Sequence, residues 1–510
     1  MILLRSRKFS ISYVFSHAGA GWGKKAGLFL ISMILIWCSS ITESSGQDTA
    51  EQFIVSMNEQ IPRWMNRYSV PGVSIALIRQ SEVVWLNSYG YADLEQGRQM
   101  TSDTVCRVES ISKSVTARGV MKLVEQGKIS LDDPVHEYLE SWEFPGSESE
   151  SERVTIRQLL SHYSGLPLGT IGLEYDPQED KPSLRESLTR EMNFVQDPGR
   201  SFIYSNVGFN LLELLIEDVS GRSFSDFMED EILLPLGMQN SSFEWRENFI
   251  TMVPNGHKLN GESVPVYLYS EKAAGGLFAN VEDMARFVSS GMAGPFYSEN
   301  NVLTESSLRK LYTPVTDVKD IYSLVADNYG LGHFIEILPN GKVAVFVGGQ
   351  GNGWMTHFHM IPDSGDGIVI LTNSSRSWPL ISHILGEWTA SIGYGPVGME
   401  IITKAISALW ILTGLMMVLA CFQIARITFQ YFRGARRFDF HLINYSPAQF
   451  LQLALFVILL SVLIWSVTRD YLIITSVFPG VSGWLIFTLF LIAMALLITA
   501  LFQKNQSRET

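Results

Sequence analysis

Short apolar runs bounded by turn residues mark the strands of this chain. Two lie early, in VPGVSIALIRQSEVVWLNSYGYAD, on either side of a polar turn at Gln80–Glu82. Two more lie late, KVAVFVGG and DGIVILTN, with the extended stretch MTHFHMI between them. Between the early and late strands the period lengthens. Lys113, Thr116, Ala117, Val120, Met121 and Val124 recur three to four residues apart after Ser110, and Gly127 offers a stop, which predicts a helix. VGFNLLELLIEDVSG, from Val207, is a second amphipathic run. Strands at both ends with helices between them predict an α+β domain over 48–392. Its antiparallel sheet is built from both termini and flanked by helices, with an all-helical region inserted.

A different pattern follows. Ala405–Ile424, Phe450–Val467 and Trp484–Phe502 are apolar stretches close to the ~20 residues that a membrane helix needs. They predict an all-α membrane region over 393–510, with transmembrane helices at about 403–424, 448–468 and 480–502. Arg426, Arg433, Arg436 and Arg437 crowd the loop after the first helix, and Lys504 and Arg508 follow the third. The 468–483 connection carries only Arg469 and Asp470. The excess of basic residues places that loop and the tail in the cytoplasm and the large domain outside it. The N-terminus agrees. Arg5, Arg7, Lys8, Lys24 and Lys25 precede the apolar run Ala26–Trp37, so residues 1–47 read as an export signal or an uncleaved anchor. Trp37 before Cys38 fits a lipoprotein signal poorly. The expected setting is a multi-pass protein of the cytoplasmic membrane, lipid bilayer as partner, with its main domain extracytoplasmic.

Composition narrows the function. The 510 residues carry a formal charge of -13 and no basic stripe, which argues against nucleic acid as a partner. The acidic Ser/Glu run at 145–153 reads as a solvated loop. Of the three cysteines, Cys38, Cys106 and Cys421, the exported domain keeps only Cys106, so no disulfide forms within it. A domain of ~340 residues buries enough surface without one. No Cys/His set has zinc spacing. His357 and His359 alternate with Phe358 on one strand and share a face, and neither a metal nor a cofactor is expected.

Candidate chemistry starts at Ser110-x-x-Lys113. Positions three apart on a helix share a face, so the Lys113 amine can reach the Ser110 hydroxyl. A serine becomes a nucleophile when a neighbouring base takes its proton, and burial keeps a lysine neutral enough to do so. The helix N-terminus adds a favourable field for developing negative charge. The plainer reading makes Ser110 an N-cap and Lys113 a solvated residue; Ser307-x-x-Lys310 shows that the tetrapeptide alone is a weak signal. Tyr204-x-Asn206 changes the balance: two apart on an extended loop, the phenol can relay a proton while the amide holds substrate. His162, in LLSHYSGLP, has no partner at fixed spacing and reads as structural.

The chain resembles the serine beta-lactamase-related family, which includes class C beta-lactamases, D-alanyl-D-alanine carboxypeptidases (penicillin-binding-protein-like) and related esterases and D-amino-acid peptidases. VPGVSIALI, VESISKSVTARGVMKLVEQGKISLDDPVHEYL, TIRQLLSHYSGLP, YSNVGFNLLELLIEDVSG, AAGGLFANVEDMARFV and GDGIVILTN follow in the family order over about 50–390. No Gly-x-Ser-x-Gly elbow of the α/β-hydrolases occurs. The resemblance implies an acyl-enzyme on Ser110, Lys113 as proton acceptor and Tyr204 as general acid/base. It also implies that Asn206, Gly348, Gly349 and Gln350 bind substrate, with an oxyanion hole at the Ser110 N–H and near Gly349 or Gln350. Implied substrates are small peptides of the peptidoglycan kind, beta-lactams or esters. The third motif departs from the pattern. In VFVGGQGNGW, Val347 stands where the family carries the Lys of Lys-Thr-Gly or the His of His-x-Gly, a cation that helps to hold a substrate carboxylate. Lys342, His357 and Arg376 are the other candidate sources of charge. The missing cation leaves a second reading, a catalytically impaired binding or sensory protein on the same fold. Transport by the helices is a poor third, since they hold few polar residues.

Overall fold

The computed structural model describes residues 46–145, 152–169, 173–298, 301–441, 445–468 and 473–505. The signal or anchor expected over 1–47 lies outside them except for Gly46 and Gln47, and most of the acidic run at 145–153 lies outside them too.

Nine strands join one sheet: β1 (Gly72–Arg79), β2 (Glu82–Asp93), β3 (Arg98–Gln99), β4 (Thr316–Asp317), β5 (Asn328–Tyr329), β6 (Phe334–Ile337), β7 (Val343–Gln350), β8 (Met355–Ile361) and β9 (Asp366–Thr372). They lie in the order β3-β2-β1-β9-β8-β7-β6-β5-β4. All neighbours are antiparallel. β1 pairs with β9, Ile75 opposite Ile370, so the sheet is closed by strands from the two ends of the domain. The β1–β2 hairpin turns through Gln80 and Ser81, at φ 51 and 68. A two-residue hairpin wants two left-handed residues, usually Gly or Asn. Here tertiary bonds hold the turn instead: the Ser81 N–H donates to the Gly365 carbonyl at 2.9 Å and its hydroxyl to the Phe296 carbonyl at 3.0 Å.

The period-two pattern sorts each strand onto two cores. Val73, Ile75 and Leu77 of β1, with Ile368 and Ile370 of β9, face one cluster. There α1 (Gly46–Tyr68) contributes Phe53, Met57, Ile61 and Met65, a stripe at four-residue spacing. Ala76 and Ile78, with Val369 and Leu371, face the larger core. That core is filled by α2 (Ile111–Glu125), α3 (Asn206–Ser220) and α4 (Val281–Ser289). α5 (Trp378–Ile392) returns to the α1 side. The molecule is thus an α+β fold with helices on both faces of an antiparallel sheet, the architecture the sequence pattern predicts.

α6 (Ile401–Phe432), α7 (Pro447–Val467) and α8 (Pro479–Leu501) follow, all long and apolar enough to cross a membrane. α6 runs past Ile424 and takes in Arg426, because backbone bonding continues after the apolar stretch ends. The Gln423 amide donates to Thr499 Oγ1 at 3.2 Å and the Gln449 amide to the Ala500 carbonyl at 2.8 Å, tying α6 and α7 to α8. Arg436–Phe438 pairs with Phe502–Lys504, so the C-terminal ends of α6 and α8 sit together. At its other end α6 grows out of the sheet domain: Ile402 and Ile406 are buried in the α1–α5 core. The Gly398 N–H donates to Glu336 Oε1 at 2.6 Å.

Ile370 has no exposed surface and sits where β1, β8 and β9 meet under α1 and α5. Ile370→Ala is expected to destabilise the domain by about 2–5 kcal/mol, seen as a lower thermal midpoint for the purified chain.

Candidate active site

The segment before Ser110 makes a strained turn. Cys106–Arg107 pairs with Phe278–Ala279, and then Glu109 turns left-handed at φ 51. A side chain in that region costs energy and persists only where the surroundings hold it. The N–H groups of Ile111, Ser112 and Lys113 bond back to the carbonyls of Val108, Glu109 and Ser110 at 3.2, 2.8 and 3.1 Å. α2 therefore starts abruptly, with half-exposed Ser110 at its head. The Ser110 side chain makes no capping bond. The plain N-cap reading fails on this point.

One turn on, the buried Lys113 amine lies 3.2 Å from Ser110 Oγ and donates to the Ala274 carbonyl at 2.6 Å. It also sits over the Tyr204 ring, 5.0 Å from its centre. Burial pulls the amine down to about 7, with the Glu109 carboxylate acting in the opposite sense. A lysine at that value holds both the proton-accepting and the proton-donating form near neutral pH.

Tyr204 closes the other side. Burial, with nearby Tyr322, pushes its phenol above the ordinary range, and a hydrogen bond with Ser110 partly offsets this. The ring lies parallel to Tyr322 and Phe334, at 5.4 and 6.3 Å. Ser205 caps α3, accepting from the Gly208 N–H at 2.9 Å, and Asn206 follows as a half-buried first residue. His162 is fully buried at φ 56. Its Nδ1 accepts the Ser205 N–H at 3.1 Å and its ring packs 4.3 Å from that of Tyr204. Burial holds it well below the usual imidazole range, so it is a neutral prop for the Tyr204–Asn206 loop.

The edge strand divides its residues between two faces. Val347 is buried in the larger core, on the α2 side. Gly349 also faces that side: a Cβ there would collide with Thr356 Oγ1 and the Val108 carbonyl, two residues before Ser110. Gly348 lies under Trp378 on the opposite face, and Gln350 Oε1 accepts from Trp378 Nε1 at 2.9 Å. The Gln350 side chain is therefore turned away from Ser110, which leaves its backbone as the part that can meet a substrate. Pairing of β7 with β6 stops at Phe346 while pairing with β8 continues to Gln350. Among the described residues, Val347–Gly349 has one strand edge that no neighbouring strand pairs. The other candidate cations have separate partners. Lys342 sits over the Tyr394 ring, Arg376 Nε donates to the Leu259 carbonyl at 2.6 Å, and His357 is buried 3.4 Å from His359. Burial takes His357 down to about 3, which keeps it uncharged. Among the described residues no group of three or more His, Cys, Asp or Glu is placed to hold a metal ion.

Sequence reasoning missed the wall beside Ser110. Glu109 is buried against Arg107 at 2.8 Å and accepts from Tyr267 and Tyr269 at 3.3 and 3.0 Å. The Arg107 guanidinium lies over both the Tyr267 and Tyr269 rings, 4.2 and 4.5 Å from their centres. Asn352 joins this wall through its N–H to Tyr267 Oη at 2.9 Å, and its amide reaches Glu174 at 3.1 Å. The one local signal was Arg107-x-Glu109 on an apolar background. The Ala274 carbonyl lies in the quoted AAGG stretch, but a backbone acceptor leaves no mark in a sequence.

Gly349→Ala places a methyl where the Val108 carbonyl and Thr356 hydroxyl now lie. The expected outcome is a roughly 1–3 kcal/mol loss of stability from overpacking and a larger loss of Ser110 reactivity than of folded protein. Active-site labelling compared with circular dichroism on one preparation checks it.

Comparison with known proteins places the fold. The family model described as Beta-lactamase matches residues 52–382. Protein flp of Staphylococcus aureus (strain MRSA252) is 25% identical over 324 residues, 62% of this chain and 62% of that protein. The chain thus spans under two thirds of the length of the curated relatives it matches. Penicillin-binding protein 4* of Bacillus subtilis (strain 168) is 30% identical over 165 residues, 31% of this chain and 35% of that one. Among solved structures, the octameric penicillin-binding protein homologue from Pyrococcus abyssi superposes with a TM-score of 0.58 at 27% identity, covering 69% of this chain and 81% of that one. The sheet closed from both ends, the inserted helices and the match over residues 52–382 lead to one conclusion: the chain belongs to the Beta-lactamase family.

Proposed function

We propose that the chain is a membrane-tethered serine hydrolase that works outside the cytoplasm through an acyl-enzyme on Ser110. The observation that carries this reading is the Lys113 amine, buried, drawn down to about 7 and 3.2 Å from Ser110 Oγ. Ser110 Oγ attacks the carbonyl carbon of an amide or ester while its proton passes to Lys113. The oxyanion is met by the Ser110 N–H and by a backbone N–H on the open edge near Gly349 or Gln350; fixed donors of this kind are worth roughly 2.7–4 kcal/mol each. The neutral Tyr204 phenol gives a proton to the leaving amine or alcohol and is resupplied from Lys113. Water then attacks the acyl carbon and gives its proton to the same pair, the bond from that carbon to Ser110 Oγ breaks, the acid is released and the pair returns the proton to Ser110. Asn206 holds a substrate amide.

The substrate class is amides and esters: D-amino-acid peptides of the peptidoglycan kind, beta-lactams or small esters. Val347, buried and apolar, supports substrates that do not depend on a carboxylate anchor at that position. The three apolar helices support the tether. The basic loop after α6 sits with the end of α8, away from the α6 end that joins the sheet domain. That arrangement supports a cytoplasmic loop and tail with the hydrolase domain outside.

Labelling with a fluorophosphonate and with a fluorescent penicillin tests the reading, with Ser110→Ala as control. A Ser110-dependent adduct with at least one probe is expected; none, together with no turnover of esters or D-amino-acid peptides, would leave the binding-protein reading standing. The pH profile is a second check. Lys113 accepts a proton only when neutral, so acylation rises as pH climbs through about 7 and then levels off. A flat profile across that point removes Lys113 as the base.

A further inference from the structure

α3 carries a carboxylate that the chemistry above does not use. Glu213 lies two turns below Asn206, buried in the core between α2 and α3. Its Oε2 accepts two consecutive backbone N–H groups, Lys272 at 2.6 Å and Ala273 at 2.7 Å. The Ala273 and Ala274 carbonyls point the other way, into α2. Ala273 accepts from Thr116 Oγ1 at 3.1 Å, and Ala274 accepts from the Lys113 amine at 2.6 Å. The turn ends where the Leu277 N–H meets Ser112 Oγ at 3.0 Å. One buried carboxylate thus fixes one side of a turn whose other side holds the base.

We propose that Glu213 is a positioning residue for Ser110 and Lys113: by gripping the Lys272 and Ala273 N–H groups it aims the Ala274 carbonyl at the Lys113 amine and holds that amine beside Ser110 Oγ. The proposal rests on the hydrolase reading for its effect on turnover, while the grip itself stands apart from any reaction. Three features support it. First, burying an ionisable side chain is costly unless it is satisfied, and here its partners are the backbone of one turn only. Burial pushes the carboxyl up to about 7, with the two N–H groups and Lys272 working against the rise and Glu217 adding to it. Lys181, Glu244 and Glu271 complete the charged groups around this turn. Second, Lys272 turns its own amine outward to Glu244 and Ser225. Its amine therefore reaches Glu213 only through space, and the carboxylate's hydrogen bonds go to the main chain. Third, the Tyr204–Asn206 loop runs directly into the helix that carries Glu213. A shift of α3 would move the phenol and the lysine's carbonyl partner together. Glu213 touches no reacting atom.

The test uses the full-length chain in detergent or nanodiscs, with p-nitrophenyl acetate as the probe ester and Ser110→Ala as background. Glu213→Leu removes the acceptor. Glu213→Gln keeps an amide oxygen where Oε2 now accepts. The expected result is a kcat lowered at least tenfold in Glu213→Leu with KM within about threefold, and a kcat within about threefold of wild type in Glu213→Gln. Two measurements need no turnover. Hydrogen exchange at Lys272 and Ala273 should speed up in Glu213→Leu and not in Glu213→Gln, and Lys113 should be acetylated faster by acetic anhydride only in the leucine variant. Failure of wild type to show any Ser110-dependent turnover would overturn the hydrolase reading and leave these two readouts to decide the grip. Unchanged exchange and unchanged Lys113 reactivity in Glu213→Leu would overturn the proposal, as would equal damage from the two variants.

Discussion

A lysine amine kept out of water is the constraint around which this site is arranged. An exposed Lys113 would stay protonated and would take no proton from Ser110. The amine is buried, and a buried ammonium or amine needs acceptors. The Ala274 carbonyl and the Ser110 hydroxyl are the ones provided. The requirement spreads outward from there. The 272–274 turn must be stiff enough to present a carbonyl, the Tyr204 ring must cover the amine, and Glu109 must accept a left-handed backbone so that α2 can begin at Ser110. The Glu109 carboxylate is then matched by Arg107 and two tyrosines, so that no bare charge faces the amine.

Much of this was legible in the sequence, and the parts that were not share a physical reason. β1, β7 and β9 were visible because each buries residues on both faces and so reads as an apolar run, whereas the partly exposed β2 was marked by its β-branched and aromatic residues after a polar turn. α2 was visible because its apolar residues repeat at helical spacing, and the family-like segments tied Tyr204 to Ser110 across the chain. Hidden were the contributions made by backbone: the Ala274 carbonyl, the left-handed turn at Glu109 and the open edge of β7. The faces of short glycine-rich strands were hidden too. Gly348, Gly349 and Gln350 are neighbours in sequence, yet only Gly349 faces the residues before Ser110. The wall of Arg107, Glu109, Tyr267 and Tyr269 unites residues about 160 positions apart, a distance over which residue spacing says nothing.

The edge strand also separates two uses of glycine that look alike in a sequence. Glycines near a nucleophile suggest room for a substrate to approach. At Gly349 the space is already taken by Thr356 and the Val108 carbonyl, so the missing side chain lets the protein pack against itself. Gly351 is similar, since a Cβ there would strike the Glu109 carboxylate. Val347 completes the picture by filling its place with hydrocarbon. On the proposed reading, what this edge offers a substrate is main chain, which recognises extended backbone in general and selects little by charge.

The way α6 leaves the domain sets how far the site can reach. The helix is 32 residues long, and its first turns are part of the α1–α5 core. At 1.5 Å per residue this is about 48 Å of rigid rod. Roughly 30 Å of that suffices for the hydrocarbon layer. For a membrane-tethered hydrolase of the kind proposed, no slack linker would stand between lipid and Ser110, which would ride at a set height above the bilayer and sweep a plane instead of a volume. Material beyond that plane would go untouched however well it fitted, and whatever is brought to that height would meet the enzyme in a two-dimensional search.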